Sequence, residues 1–503
     1  MPRILVRYSG DLTTKARATR QRFVTRLARN LKDALGDARR DAQIVRTRDR
    51  ILIELPQAID PTPLTHVYGA QTISVAERRE WRSLQDLVDA GREIFGEAVR
   101  GKRFAVRARR VGDRARIGLA SKDLERALGA ELGREAAGVD LDHPEVTAHI
   151  EVLPGEAFYF QQRLPAPGGL PLGCEGNAVA LVSGGFDSMV AAWLMLKRGI
   201  HLDYVFCNLG GRAHQLEAVR VMQVLARDWS FGSRPHLHAV DFDLVSRELQ
   251  AKVSQRYWQV SLKRLMLKAA EQVARDRDAA AIVTGDAVGQ VSSQTLRNMA
   301  TISEATQLPI LRPLVGFNKD EILAIARNIG TYELSKQVGE YCAMVPSKPA
   351  TAASLAHIQH EEAHLDPTIL ERAVAERSTF DLRELDLEAM EVPDLEASGI
   401  PDGAVLLDLR SKAAYQHWHY PDALFMDFTT ALRAYRSMPK DRPYVAYCEF
   451  GLKSAHLAEL MRREGFDSKH FKRGLGDVLA LARAKGIAVR DELGGAMEGT
   501  EAK

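Results

Sequence analysis

Apolar and polar positions alternate over "RILVRYSG" as in a short strand, and then change period. In "TKARATRQRFVTRLARNLKDAL" (14–35), Phe23, Leu27 and Leu31 recur every four residues, which predicts a basic amphipathic helix with its arginines toward solvent. "AQIVRTRDRILIEL" reads as strand, turn and strand, so residues 1–75 form a small α+β unit. A second unit, 76–165, follows: a helix in "SLQDLVDAGREIFGEAVR", a strand in "RFAVRARRV", a helix over 121–133 and a hairpin in "EVTAHIEVLPGEAFYFQQR". "LPAPGGLPLG" (164–173) holds too many helix and strand breakers for an element interior and marks a boundary. Beyond it, apolar strands alternate with amphipathic helices: strand 178–182, helix 188–198, strand 202–207, helix 212–229, strand 236–240, then a long helix at 257–276 and the strand "AAIVTG". That alternation predicts a doubly wound parallel sheet over 174–350, with its ligand at the carboxyl ends of the strands. Residues 351–397 read as an acidic helical linker, 398–488 as a further α/β domain, and 489–503 as a disordered tail.

Charge is distributed unevenly behind a bland net +3. Residues 1–50 carry 14 Lys or Arg against five Asp, and "GKRFAVRARRVGDRAR" (101–116) adds a second basic run. Arg107, Arg109, Arg110, Arg114 and Arg116 of that run are candidate contacts to nucleic-acid phosphates. Aromatic residues are sparse there, which favours reading the shape of a folded RNA over stacking on single strands. Residues 361–400 hold 12 Asp or Glu against three Arg. No apolar run approaches the ~18–20 residues of a membrane span, and the N-terminus lacks the apolar core of a secretory signal, so the expected location is cytoplasmic, with no membrane partner. Four cysteines without a CxxC pair give no support to a structural zinc site or an iron–sulfur cluster.

Two short strings carry chemistry. In "ALVSGGFDS" the chain leaves a strand at Leu181 and Val182, turns through Ser183, Gly184 and Gly185, and enters a helix near Asp187 and Ser188. Free N–H groups and a helix N-terminus then converge on one spot, where glycines let phosphate oxygens approach. GxxxxGK[ST] and GxGxxG are both absent, which argues against γ-phosphoryl transfer and against a dinucleotide. In "YVAYCEFGLKSAHL", Cys448 stands where a strand ends and a loop bends into a helix, an arrangement that stabilises a thiolate or persulfide anion. Phe450 occupies a loop position where a basic residue would help hold such an anion; Lys453 or the loop's N–H groups are the substitutes. Cys174 and Cys207 read as structural.

The complete string SGGFDS resembles the PP-loop of ATP pyrophosphatases, which cleave ATP between its α and β phosphates. With "FCNLGG", "LKRLMLKAAEQVA", "IVTGDAVGQVSSQTLRN", "LRPLVGFNKDEI" and the DLR and CxxGxxS patterns of a rhodanese domain, the chain resembles the tRNA 4-thiouridine synthetases over nearly its whole length. The resemblance implies an N-terminal ferredoxin-like domain (1–75), a THUMP domain (76–165), a PP-loop domain (174–350) and a rhodanese domain (398–488). It implies ATP bound through Leu181, Val182, Ser183, Gly184, Gly185, Asp187, Ser188, Lys263, Gly285 and Gln294, with Asp187 managing charge at the phosphates or holding Mg²⁺, and Arg264 beside Lys263 turned toward the same phosphates. It further implies a persulfide on Cys448 as sulfur donor to a uridine, position 8 of tRNA, activated as its adenylate, with Cys342 closing a disulfide to Cys448. The implied partners are tRNA, a cysteine desulfurase, a disulfide reductant and a small sulfur-carrier protein of thiamine thiazole synthesis. A rhodanese-type enzyme serving thiazole synthesis alone, and a noncatalytic tRNA-binding protein, remain as alternatives.

Overall fold

The computed structural model describes residues 3–112, 114–338, 348–388, 390 and 394–489. Cys342 and the tail beyond 489 therefore lie outside the described residues, as does the side chain of Arg114. By contacts the chain divides into two compact units: 1–176 with the short pieces 195–201 and 228–233, and the remainder. Among the described residues, no helix is long and apolar enough to cross a membrane.

The first unit is built on one nine-stranded sheet. The strand Arg3–Tyr8 lies antiparallel between Arg50–Glu54 and Ala70–Glu80. The helix Arg17–Ala34 buries Phe23, Leu27 and Leu31 at no more than 1% exposure, each worth roughly 1.5–3 kcal/mol relative to exposure. In the second α+β portion the helix Leu84–Val99 starts at a capping box, Ser83 with Asp86, and packs with Ser121–Leu132 over the strands Arg103–Arg110 and Val146–Leu153. The strand Ala70–Glu80 was not evident in the apolar pattern. It joins the two portions by pairing Arg3–Tyr8 with its first half and Glu156–Phe160 with its second, so one sheet runs across the expected boundary at 75/76. Glu151 fastens the same junction: 1% exposed, it accepts from Arg7 Nε at 2.9 Å and from Arg50 Nη1. Burial opposes ionisation of Glu151, but Arg50 and Arg7 outweigh it and hold the carboxyl below its usual range.

The second unit carries a six-stranded sheet and a four-stranded sheet. In the larger, Asn177–Leu181, His201–Asn208, His236–Asp241, Ile282–Val283 and Ile310–Leu311 run parallel, and their Val179, Val205, Phe206 and Val240 are at most 1% exposed. This near-continuous apolar character is what a sheet covered on both faces requires. The segment read as a linker has its helices, Leu355–Glu362 and Pro367–Ala375, and also a strand, Ser378–Asp381, that pairs antiparallel with His236–Asp241 and closes the sheet's edge. It is therefore built into the six-stranded sheet over this stretch. The smaller sheet is all parallel, ordered Leu424–Phe425, Val405–Asp408, Tyr444–Tyr447, Ser468–His470.

Candidate functional site

At the carboxyl end of Asn177–Leu181, SGGFDS turns directly into the helix Phe186–Lys197. Ser188 Oγ donates to Gly185 O at 3.0 Å and accepts from Ser183 N–H at 3.3 Å, so the helix's first turn ties down the loop. Gly285, beyond the neighbouring strand, presses on this turn: a Cβ there would stand 2.7 Å from Asp187 C and from Ser188 N.

A cavity of about 260 Å³ opens at this point. It is lined by the predicted Leu181, Val182, Ser183, Asp187, Ser188, Lys263, Gly285 and Gln294. Gly184 and Gly185 shape the turn without lining the cavity. Arg264 departs from expectation: 3% exposed, it gives Nε to Glu362 at 2.7 Å and Nη1 to Thr301 O. On the helix Trp258–Asp276 the residue after Lys263 points to a different face, so Arg264 anchors the helix Leu355–Glu362 instead of meeting phosphates.

Several side chains that pattern reading missed complete the site. Lys319 Nζ donates to Asp187 Oδ1 at 2.9 Å, and Gln290 Nε2 to Asp187 Oδ2 at 2.9 Å. Asp286, 8% exposed, accepts from Lys263 Nζ at 2.6 Å, Thr284 Oγ1 at 2.8 Å and Gln294 Nε2 at 3.3 Å, with Arg312 Nε at 3.5 Å. Burial opposes its ionisation, yet Lys263, Thr284 and Arg312 together bring the Asp286 carboxyl down to about 2. The only available signals were a carboxylate straight after a strand-end glycine in "TGD" and a lysine at a helix start in "FNKDEI". Both Asp187 oxygens face cationic or amide donors, and no group of three His, Cys, Asp or Glu suited to a metal occurs among the described residues. With both oxygens already bonded to Lys319 and Gln290, Asp187 does not fit the expected Mg²⁺ ligand in this arrangement, and no step runs through the ion.

In the smaller sheet, Cys448 follows Tyr444–Tyr447 and precedes the helix Leu452–Arg463. The thiol is 2% exposed; Gly451 N–H donates to Sγ at 3.2 Å, and Ser454 Oγ stands 3.6 Å away. Gly451 has φ +93°, where any Cβ would collide with Lys472 O. Phe450 is 65% exposed at the loop's tip, so backbone N–H, not a side-chain cation at 450, faces the sulfur. The DLR motif acts behind the loop: Arg410 clasps Asp408 through Nε at 2.9 Å and Nη2 at 2.6 Å, and Tyr447 OH donates to Asp408 Oδ2 at 2.6 Å. Burial pushes the Cys207 thiol up, and burial with nearby Glu175 pushes Cys174 up to about 11, as structural cysteines require.

The helix Leu452–Arg463 rests against the larger sheet's domain. Glu459 Oε2 accepts from Arg212 N–H at 2.9 Å at the start of the helix Gly211–Asp228, beside a cavity of about 670 Å³. Leu209 lines this cavity and the smaller one alike.

Of the basic residues on the first unit, Arg107 and Arg109 project from the sheet face opposite its helices, while Arg110 alternates to the other side. Arg116 is exposed on the short helix Arg114–Ile117.

A family model described as Thiamine biosynthesis protein (ThiI) matches residues 173–366. A ThiI ferredoxin-like domain matches 3–74, a THUMP domain 82–158 and a rhodanese-like domain 394–479. The chain is 35% identical over 470 residues to a tRNA sulfurtransferase of Pyrobaculum aerophilum, covering 92% of this chain and 95% of that one. It is 34% identical over 480 residues to a tRNA sulfurtransferase of Marinobacter nauticus, covering 92% and 98%. Among solved structures it resembles a 4-thiouridine synthetase crystallised with RNA and bound ATP, with TM-score 0.65 and 29% identity over 76% of this chain and 99% of that one.

Proposed function

The chain belongs to the tRNA sulfurtransferase family, and from that premise we propose that it converts a uridine of tRNA, position 8 by resemblance, to 4-thiouridine at the expense of ATP. The observation that carries this is the convergence of Ser183, Asp187, Ser188, Lys263, Gly285 and Gln294 on one cavity at the SGGFDS turn. The resemblance to a synthetase crystallised with ATP supports ATP as the nucleotide, and its RNA together with the THUMP match supports tRNA as the acceptor.

Uridine O4 attacks the α-phosphorus of ATP, the bond to the β-phosphate oxygen breaks, and pyrophosphate leaves as N3 gives up its proton. Lys263 and the loop N–H groups offset charge gathering on the phosphates. A cysteine desulfurase supplies the terminal sulfur of a Cys448 persulfide. That sulfur attacks C4 and expels AMP, with uridine O4 now on the AMP phosphate. Cys342 thiolate then attacks Cys448 Sγ, so the disulfide Cys342–Cys448 forms and 4-thiouridine departs with the electron pair of the broken S–S bond. A cellular reductant resets the disulfide. In the same reading the Cys448 persulfide also serves a small sulfur-carrier protein of thiazole synthesis. The Gly451 N–H at the sulfur supports an anionic persulfide there.

The test is the 4-thiouridine content of unmodified tRNA incubated with ATP, cysteine and a desulfurase. Wild type should thiolate, whereas Asp187→Ala, Cys448→Ala and Cys342→Ala should each lose most of the product. Undiminished thiolation by Asp187→Ala or Cys448→Ala sinks the reading.

A further inference from the structure

Four segments of the second unit converge on the carboxylate of Asp286: Lys263 from the helix Trp258–Asp276, Thr284 from the end of the neighbouring strand, Gln294 from a short turn of helix, and Arg312 just after Ile310–Leu311. Three of these, Lys263, Thr284 and Gln294, line the cavity, as does Asp286 itself. The carboxylate is ionised and only accepts hydrogen bonds, so Gln294 must turn its Nε2 toward Asp286. Its Oε1 is thereby directed away from Asp286, and this atom is buried without a hydrogen-bond partner, although Gln294 is only 7% exposed. An unsatisfied buried acceptor on a residue that lines a cavity calls for a donor from whatever fills it. Lys263 gains too: a four-carbon ammonium stem has many rotamers, and a 2.6 Å bond to a fixed carboxylate selects one before any ligand arrives.

We propose that Asp286 is the positioning residue of the nucleotide site, fixing Lys263 and setting the amide of Gln294 so that Oε1 accepts a hydrogen bond from an N–H or O–H of the nucleotide. The inference rests on the reading of this cavity as the ATP site. The shared chemistry of the ligand group is a donor on the nucleoside. Two sources supply it, the exocyclic amine of adenine and a ribose hydroxyl, and a ligand lacking that donor leaves Gln294 Oε1 buried and unpaired.

The experiment is steady-state AMP release with unmodified tRNA, cysteine, a desulfurase and a thiol reductant, using ATP, inosine triphosphate, which lacks the amine, and 2′-deoxy-ATP and 3′-deoxy-ATP, each lacking one hydroxyl. Wild type should prefer ATP over one of these analogues by about 10- to 100-fold in kcat/KM, and the disfavoured analogue names the donor. In Asp286→Asn the residue at 286 can itself donate, the Gln294 amide is free to reverse, and the preference should fall toward one while KM for ATP rises by about tenfold. Gln294→Leu should erase the same preference, and the Asp286→Asn, Gln294→Leu pair should erase no more than either alone. A merely structural role would lower turnover of all four nucleotides together and leave the ratios intact. Sulfur loading onto Cys448 from cysteine and a desulfurase reports that each variant is folded, and Gln294→Leu carries the test where Asp286→Asn is not. An unchanged preference in Asp286→Asn, or equal use of all four nucleotides by wild type, overturns the positioning role while leaving adenylation standing. Absence of ATP-dependent AMP release by wild type overturns both.

Discussion

The loops SGGFDS and CEFGLKS are two versions of one device. Each leaves the carboxyl end of a parallel strand, passes a glycine with positive φ (Gly184 at +79°, Gly451 at +93°) and enters a helix whose first turn returns a serine hydroxyl to the loop. Ser188 donates to Gly185 O at 3.0 Å and Ser454 to Gly451 O at 2.9 Å. The backbone shell is thus common to both and suits an anion in either place. The differences lie in what surrounds it. SGGFDS opens on a cavity walled by Lys263, Asp286 and Gln294 from distant segments, with Asp187 set between Lys319 and Gln290. CEFGLKS closes over a single thiol at 2% exposure, and the buried Asp408 and Arg410 of the DLR motif neutralise each other. On the proposed function, a generic anion cradle serves a nucleotide or a sulfur according to the residue at its head, Ser183 or Cys448, and the groups brought up around it.

Breaking the sulfur loop has the largest effect. Cys448→Ala removes the only atom in its loop able to carry sulfur, so thiolation from cysteine and a desulfurase should fall by at least ~10³-fold, while single-turnover release of pyrophosphate with unmodified tRNA should stay near wild type. Loss of both together would show that the loops do not divide the work. Next comes Gly285→Ala, whose Cβ would meet Asp187 and Ser188 backbone at 2.7 Å. Displacing the turn by a few tenths of an ångström should cut kcat/KM for ATP by roughly 10- to 100-fold, with sulfur loading of Cys448 unaffected, and parallel assays of both half-reactions check it. Removing a structural carboxylate makes a third contrast. Glu151→Ala leaves Arg7 and Arg50 facing an uncompensated site and should destabilise the first unit by about 3–5 kcal/mol in denaturant titration, without changing ATP use at saturating tRNA.

The smallest effect is a pH dependence. Burial holds His214, which lines the nucleotide cavity, down to about 4, and burial with nearby His214, Arg463 and Arg247 holds His456 of the helix after CEFGLKS down to about 3. A free imidazole titrates at 6.5, so the unfolded chain binds protons that the folded chain refuses as pH drops below 6.5. Stability is full above about 6.5 and declines toward about 4. His214→Gln, His456→Gln together should flatten that decline in thermal melts between pH 7 and 5.

The apolar pattern reveals most of the strand-and-helix order. The helix Arg17–Ala34 and the alternation from Asn177 onward were legible because local periodicity encodes a buried face. Strand Ala70–Glu80 was hidden because it serves two partners in succession and its exposed half, with Glu77, Arg78 and Arg79, looks like loop. The edge strand Ser378–Asp381 was hidden by its brevity and acidic setting. In the site, glycines and nucleophile were visible as compact strings, whereas Asp286 and Lys319 became site residues only by folding next to Lys263 and Asp187 from 23 and 132 positions away. Arg264 shows the opposite error, since adjacency to Lys263 on a helix turns it to another face.

On the proposed function, the SGGFDS site joins uridine O4 to the α-phosphate before sulfur from Cys448 displaces it. Unmodified tRNA carrying ¹⁸O at uridine O4, thiolated with ATP and a desulfurase, tests this by mass spectrometry of the products. One ¹⁸O should appear in each AMP formed and none in pyrophosphate. AMP free of label, with ¹⁸O in pyrophosphate or released to water, would contradict it.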